Sequence, residues 1–104
     1  MTLAISSVKH PDAVRPYRHD FKEAMLIEGE STGDTLRLPN DPDITKRPTI
    51  TVQKGDAVIE GYLIEGTELV YWVSGGTKDT WFDLSVWTVN GLRIVEEVLL
   101  KIGA

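Results

Sequence analysis

The chain of 104 residues contains no cysteine, which excludes a disulfide frame, a thiolate nucleophile and a Cys-ligated zinc site. Histidine is almost missing: His10 and His19 are the only two, and neither belongs to a constellation with paired carboxylates at metal-ligand spacing. Both are expected to be surface or internally satisfied histidines. Positive charge is also in deficit, with 11 Lys and Arg against 16 Asp and Glu and a formal net charge of -5. Phosphate-backbone binding needs clustered Lys and Arg, so nucleic acid is not an expected partner. No apolar run reaches the length of a membrane span, and the opening MTLAISSV has neither the basic nor the long apolar part of a signal peptide. No membrane association is expected.

What remains is an ordinary globular composition, 41% hydrophobic and 26% charged, of a size that suits one domain around a single two-layer core. Residues 1–12 are expected to be a flexible segment, and residues 13–104 a single domain. Stretches rich in turn formers, Lys9 to Pro16 and Glu28 to Lys46, should be loops. Between them, Arg18 to Ile27 reads as the start of a strand followed by a short helical turn, because Phe21 and Met25 recur at helical spacing before Gly29 stops the pattern.

From Pro48 onward, short β-branched and aromatic runs alternate with glycine-containing turns, an all-β pattern. Strands are predicted over Thr49–Gln53, Ala57–Ile64, Leu69–Ser74, Trp81–Val89 and Arg93–Ile102. Asn90-Gly91 predicts a type I′ hairpin turn between the last two. Alternation then assigns Phe82, Leu84, Val86 and Thr88 to an inner face, with Val98, Leu100 and Ile102 opposite them. Trp72, inside the most apolar run, is predicted to be core. Trp81 and Trp87 fall on the outer face with Leu99, among charges. Two explanations stand: a loop or the N-terminal segment covers them, or a partner does.

Catalytic and metal motifs are not found. Asn40, Asp41 and Asp43 lack the central glycine and terminal glutamate of a calcium loop. Ser74-Gly75-Gly76-Thr77 has neither the Lys-Ser/Thr of a phosphate loop nor the Gly-x-Ser-x-Gly of a nucleophile turn. Glu96 and Glu97, adjacent on a strand, point to opposite faces and read as edge or solvated charges. The expected assignment is non-enzymatic, with no metal and no cofactor. An enzyme would need His10 or His19 to meet acidic groups from distant strands.

The segment Tyr71-Trp72-Val73-Ser74-Gly75-Gly76-Thr77, followed by a strand, an Asn-Gly turn and Arg93 to Ile102, resembles the C-terminal half of small virion proteins of tailed bacteriophages and prophages, the fiber-tail adaptor proteins. Tyr17 to Asp20 and Gly33-Asp34-Thr35 resemble the upstream Tyr-x-x-Asp and Gly-Asp-Thr segments of the same proteins. The resemblance spans Arg15 to Ile102 and departs from the pattern at Trp87 and at Leu92. It implies an antiparallel, immunoglobulin-like β-sandwich of about seven short strands. It further implies a noncatalytic role linking tail, neck or fibre proteins, in the bacterial host cytoplasm during assembly and then in the virion. On this reading Trp81 and Trp87 are the partner-binding residues, with Met1 to Asp12 as a second contact, and the free chain is compatible with a monomer. A small carbohydrate-binding β-sandwich, with the tryptophans stacking on sugar rings, is the alternative.

Overall fold

The β-branched and aromatic runs do become strands. The computed structural model describes residues 3–5, 13–27 and 34–102, so most of the segment expected to be flexible, and the 12/13 boundary itself, lies outside the described residues. In chain order the elements are β1 (Leu3–Ile5), β2 (Arg15–Asp20), α1 (Lys22–Ile27), a 3₁₀ turn (Ile44–Lys46), β3 (Thr49–Lys54), β4 (Val58–Glu65), β5 (Glu68–Ser74), β6 (Thr80–Trp87) and β7 (Arg93–Leu100). The protein is all-β, with α1 as its one helix of the α type among the described residues. No helix there is long and apolar enough to cross a membrane.

The strands form two sheets, a four-stranded one in the order β1-β7-β6-β3 and a three-stranded one in the order β2-β5-β4. Two hairpins, β4-β5 and β6-β7, join sequence neighbours, while the chain changes sheet between β1 and β2, β2 and β3, β3 and β4, and β5 and β6. Every strand pair is antiparallel except β1 and β7, which run parallel. This departs from the expected purely antiparallel arrangement. A parallel pair needs a long crossover, and here almost the whole chain separates the two strands.

The inner rows of both sheets meet in one hydrophobic core. Phe82, Leu84 and Val86 from β6 and Ile94, Val98 and Leu100 from β7 face Leu69, Tyr71 and Val73 from β5. The rings of Tyr71 and Phe82 meet edge to face at 6.2 Å between centroids, so the contact crosses directly from one sheet to the other. The helical turn closes one end. Asp20 Oδ1 accepts from the Lys22 amide at 2.9 Å and from the Thr67 hydroxyl at 2.8 Å, and this orients α1 so that Phe21 and Met25 are buried.

Three local expectations are corrected. Asn90 is not at positive φ; Gly91 alone is, at 99°. The Gly91 amide donates to the Thr88 carbonyl and the Thr88 amide to the Leu92 carbonyl, the pattern of a three-residue hairpin loop ending in a left-handed glycine. The extra loop residue, Val89, relieves Asn90 of the strained conformation that a two-residue turn demands. Trp72 is half-buried on the outer side of β5, because Leu69, Tyr71 and Val73 take the inner positions and alternation turns Trp72 away from them. Glu96, expected on a solvated face, is only 5% exposed. It shares the inner row of β7 with Ile94 and Val98, and His19 of β2 faces it with Nε2 at 3.4 Å from Oε1.

Candidate functional site

The outer face of the four-stranded sheet collects the groups with chemistry to offer. Trp81 and Trp87 both lie on this face of β6, and both are half-buried. They do not form one aromatic patch. Six residues of extended strand put them about 20 Å apart, with Asp83 and Ser85 between. Trp81 is in register with Leu99 on one side and Lys54 on the other, and Trp87 is in register with Arg93.

The two indoles have different surroundings because of where residues 34–48 run. Leu36 bridges to Thr88, the Arg37 amide donates to the Trp87 carbonyl at 2.8 Å, and the Val89 amide donates to the Thr35 carbonyl at 2.9 Å. This pairing fixes the following residues beside the end of β6. Asp41 and Asp43 then shape the turn: Asp41 Oδ1 accepts from the Asp43 amide at 2.9 Å, and Asp43 Oδ1 accepts from the amide and hydroxyl of Thr45 at 3.0 and 2.6 Å. Asp43 thereby caps the 3₁₀ turn. Both carboxyls are held below their ordinary range, Asp41 mainly by the Asp43 amide and Asp43 mainly by the Thr45 hydroxyl.

The turn delivers Lys46 onto Trp87, with Nζ 3.6 Å from the ring centroid, a cation–π contact. Of the two explanations for the outer tryptophans, cover by a loop therefore describes one side of Trp87. Beside this contact, Ile44, Thr45, Arg47, Thr49, Ser85, Trp87 and Arg93 line an open depression of about 260 Å³. Arg47 Nε donates to the Asp41 carbonyl at 2.8 Å, and Arg93 Nε donates to Ser85 Oγ at 3.0 Å. Ile44 stands at its rim, 72% exposed.

A second depression, of about 440 Å³, lies on the other side of the same loop, between Thr35–Leu38, Asp41, Ile64, Gly66 and Val89. Its one charged pair, Arg37 with Asp41 at 3.2 Å, is internally satisfied. No group of three or more potential metal ligands occurs among the described residues. His10 lies outside them. His19 meets Glu96 in the interior, where its ring also packs edge to face on Phe21 at 4.8 Å.

Sequence reasoning found Trp87 but not the arginines beside it. Arg47 and Arg93 are brought together only by the pairing of β3 and β7 with the two edges of β6. The one local signal was Asp43-Ile44-Thr45, a side-chain-capped turn directly ahead of a strand. No family model matches this sequence, and no curated protein matches it.

Proposed function

We propose that this chain is a noncatalytic assembly protein with an immunoglobulin-like fold that joins tail, neck or fibre components of a phage or prophage particle. The fold part of this reading is supported by strand order. The immunoglobulin arrangement places its second, fifth and fourth strands in one sheet and its third, sixth and seventh in the other, and the orders β2-β5-β4 and β3-β6-β7 follow it. The first strand lies beside β7 instead of β2. The assembly role draws on the resemblance of Tyr71 to Thr77 and the final hairpin to fiber-tail adaptor proteins.

The observation that carries the reading is the outer face of β6, where two large indoles stand at opposite ends of one strand with Asp83 and Ser85 between them. Half-buried aromatic anchors of this type dominate the energetics of protein interfaces. Their separation of about 20 Å along the strand matches contact with an extended protein surface better than with one small ligand. The carbohydrate alternative needs open indole faces, and Lys46 already lies over Trp87.

The test is capture of virion proteins by tagged chain from a lysate of the host producing the cognate particle, with captured proteins identified by mass spectrometry. A Trp81→Asp variant with an unchanged circular dichroism spectrum runs beside it. Recovery of tail, neck or fibre proteins by the wild type and their loss from the variant is the expected result. Recovery of no virion protein, or equal recovery by both, would overturn the reading of this face.

A further inference from the structure

The depression beside Trp87 holds two guanidinium groups that nothing in the fold consumes. Arg18 pairs with Glu65 and Glu68, and Arg37 pairs with Asp41. Arg47 and Arg93 form no salt bridge among the described residues, although both line the same space. Each is anchored through Nε, Arg47 on the Asp41 carbonyl and Arg93 on Ser85 Oγ. Anchoring at Nε fixes the plane of the guanidinium and leaves the terminal nitrogens as donors.

The acidic groups of the turn that carries Arg47 direct their carboxylates to other donors. Asp43 is engaged by Thr45, and Asp41 is engaged by Arg37 and the Asp43 amide. The site is therefore a local concentration of oriented positive charge on a chain whose formal net charge is -5.

We propose that Arg47 and Arg93 form a clamp for the carboxylate of an acidic side chain on a protein partner. Carboxylates are the planar oxyanions that arginine forks recognise through paired N–H donors. The remaining lining fits a side chain of a protein. Thr49 and Ser85 add hydroxyls, and the exposed Ile44 and the edge of Trp87 offer apolar contact to the atoms next to the acid. At about 260 Å³ the space is below the usual range for small-molecule sites, and Lys46 over the indole takes a ring face that a sugar would need. The identity of the partner as a virion protein rests on the assembly reading above; the carboxylate chemistry does not.

The experiment uses the full chain labelled with ¹⁵N, titrated with hexaglutamate peptide at low salt while the Trp87 indole N–H and the arginine Nε–H resonances are followed. Hexaglutamine, inorganic phosphate and glucuronate are the comparison probes. Saturable shifts at Trp87 and Arg93 with hexaglutamate, and none with hexaglutamine, are expected. Arg93→Gln and Arg47→Gln should each weaken the binding at least tenfold. Arg93→Lys, which keeps the charge without the fork, should fall between. Arg15→Gln, on the other sheet and with the same loss of charge, should change it less than twofold.

Absence of saturation, equal weakening by Arg15→Gln, or tighter binding of phosphate or glucuronate than of hexaglutamate would overturn the clamp. The same variants in the virion capture separate the two readings. Virion proteins recovered equally by wild type and Arg93→Gln would overturn the clamp and leave the assembly role. Hexaglutamate binding that needs both arginines, with no virion protein captured, would support the clamp and overturn the assembly role.

Discussion

His19 Nε2 on β2 lies 3.4 Å from Glu96 Oε1 on β7, and with side-chain exposures of 16% and 7% the two groups join the sheets from inside. A carboxyl group this deep is costly unless a polar partner faces it; His19 is the group that faces it, although neither its Nε2 nor Glu96 Oε2 completes a hydrogen bond. Removing His19 alone should destabilise the protein more than removing both groups. His19→Phe, which keeps a ring against Phe21, is expected to cost on the order of 3 kcal/mol, and Glu96→Leu, which leaves the buried His19 ring nitrogen facing an apolar side chain, about 1 to 3 kcal/mol. The double variant should recover most of the loss. Urea unfolding midpoints of the four proteins check this as a cycle. Additive effects would mean that the two groups are not coupled.

Phe82 of β6 is fully buried and touches Tyr71 of the opposite sheet. It is therefore the side chain whose truncation opens the interface between sheets. Phe82→Ala is expected to cost about 3 to 5 kcal/mol, seen as a lower denaturant midpoint. A loss below about 1 kcal/mol would show that the core collapses around the vacancy.

Gly55, which follows β3, combines a φ of 109° with the closest backbone approach of any glycine described. A Cβ at this position would lie 2.6 Å from Thr80 Cα and 2.7 Å from the Asp79 carbonyl oxygen. Both atoms are backbone and cannot rotate aside. Gly55→Ala is expected to cost at least about 2 kcal/mol. Gly66→Ala, which has positive φ but nothing within 4 Å, should cost less, and thermal melts of the two variants make the comparison.

The contrast between what the sequence disclosed and what it hid follows from how far apart the interacting residues are. Strands β3 to β7 were legible because Phe82, Leu84 and Val86 alternate with polar neighbours and a glycine-bearing turn follows each of β3 to β6. The same parity placed Glu96 in one row with Val98, and its charge argued against what its position required. In Leu69–Ser74 both rows are apolar, so alternation could not assign Trp72 to a side. Asn90-Gly91 marked the right turn but not its length, which depends on the Thr88–Leu92 hydrogen bond. The parallel β1-β7 pair, the His19–Glu96 contact and the joining of Arg47 to Arg93 are all products of tertiary topology, with no local pattern to announce them.

Asp56 ties the loop after β3 to the loop before β6. Its carboxylate accepts from the Thr77 hydroxyl and amide, the latter at 2.9 Å, and from the Lys78 amide at 3.4 Å. These bonds, led by the Thr77 hydroxyl, hold its carboxyl below the ordinary value of 3.8. A carboxyl that binds its proton less readily in the folded chain than in the unfolded one adds stability above the unfolded value, and that contribution disappears as pH falls through the folded value. Asp41 and Asp43 are shifted in the same direction. The wild type should therefore lose stability as pH drops below about 4. Asp56→Asn, which keeps an oxygen acceptor but cannot ionise, should be less stable than the wild type at pH 7 and approach it in acid. Urea midpoints measured for both proteins from pH 7 to pH 2 check the sign. A gap that is constant across this range would show that the ionised form of Asp56 contributes nothing, and that the tie between the two loops is made by neutral hydrogen bonding alone.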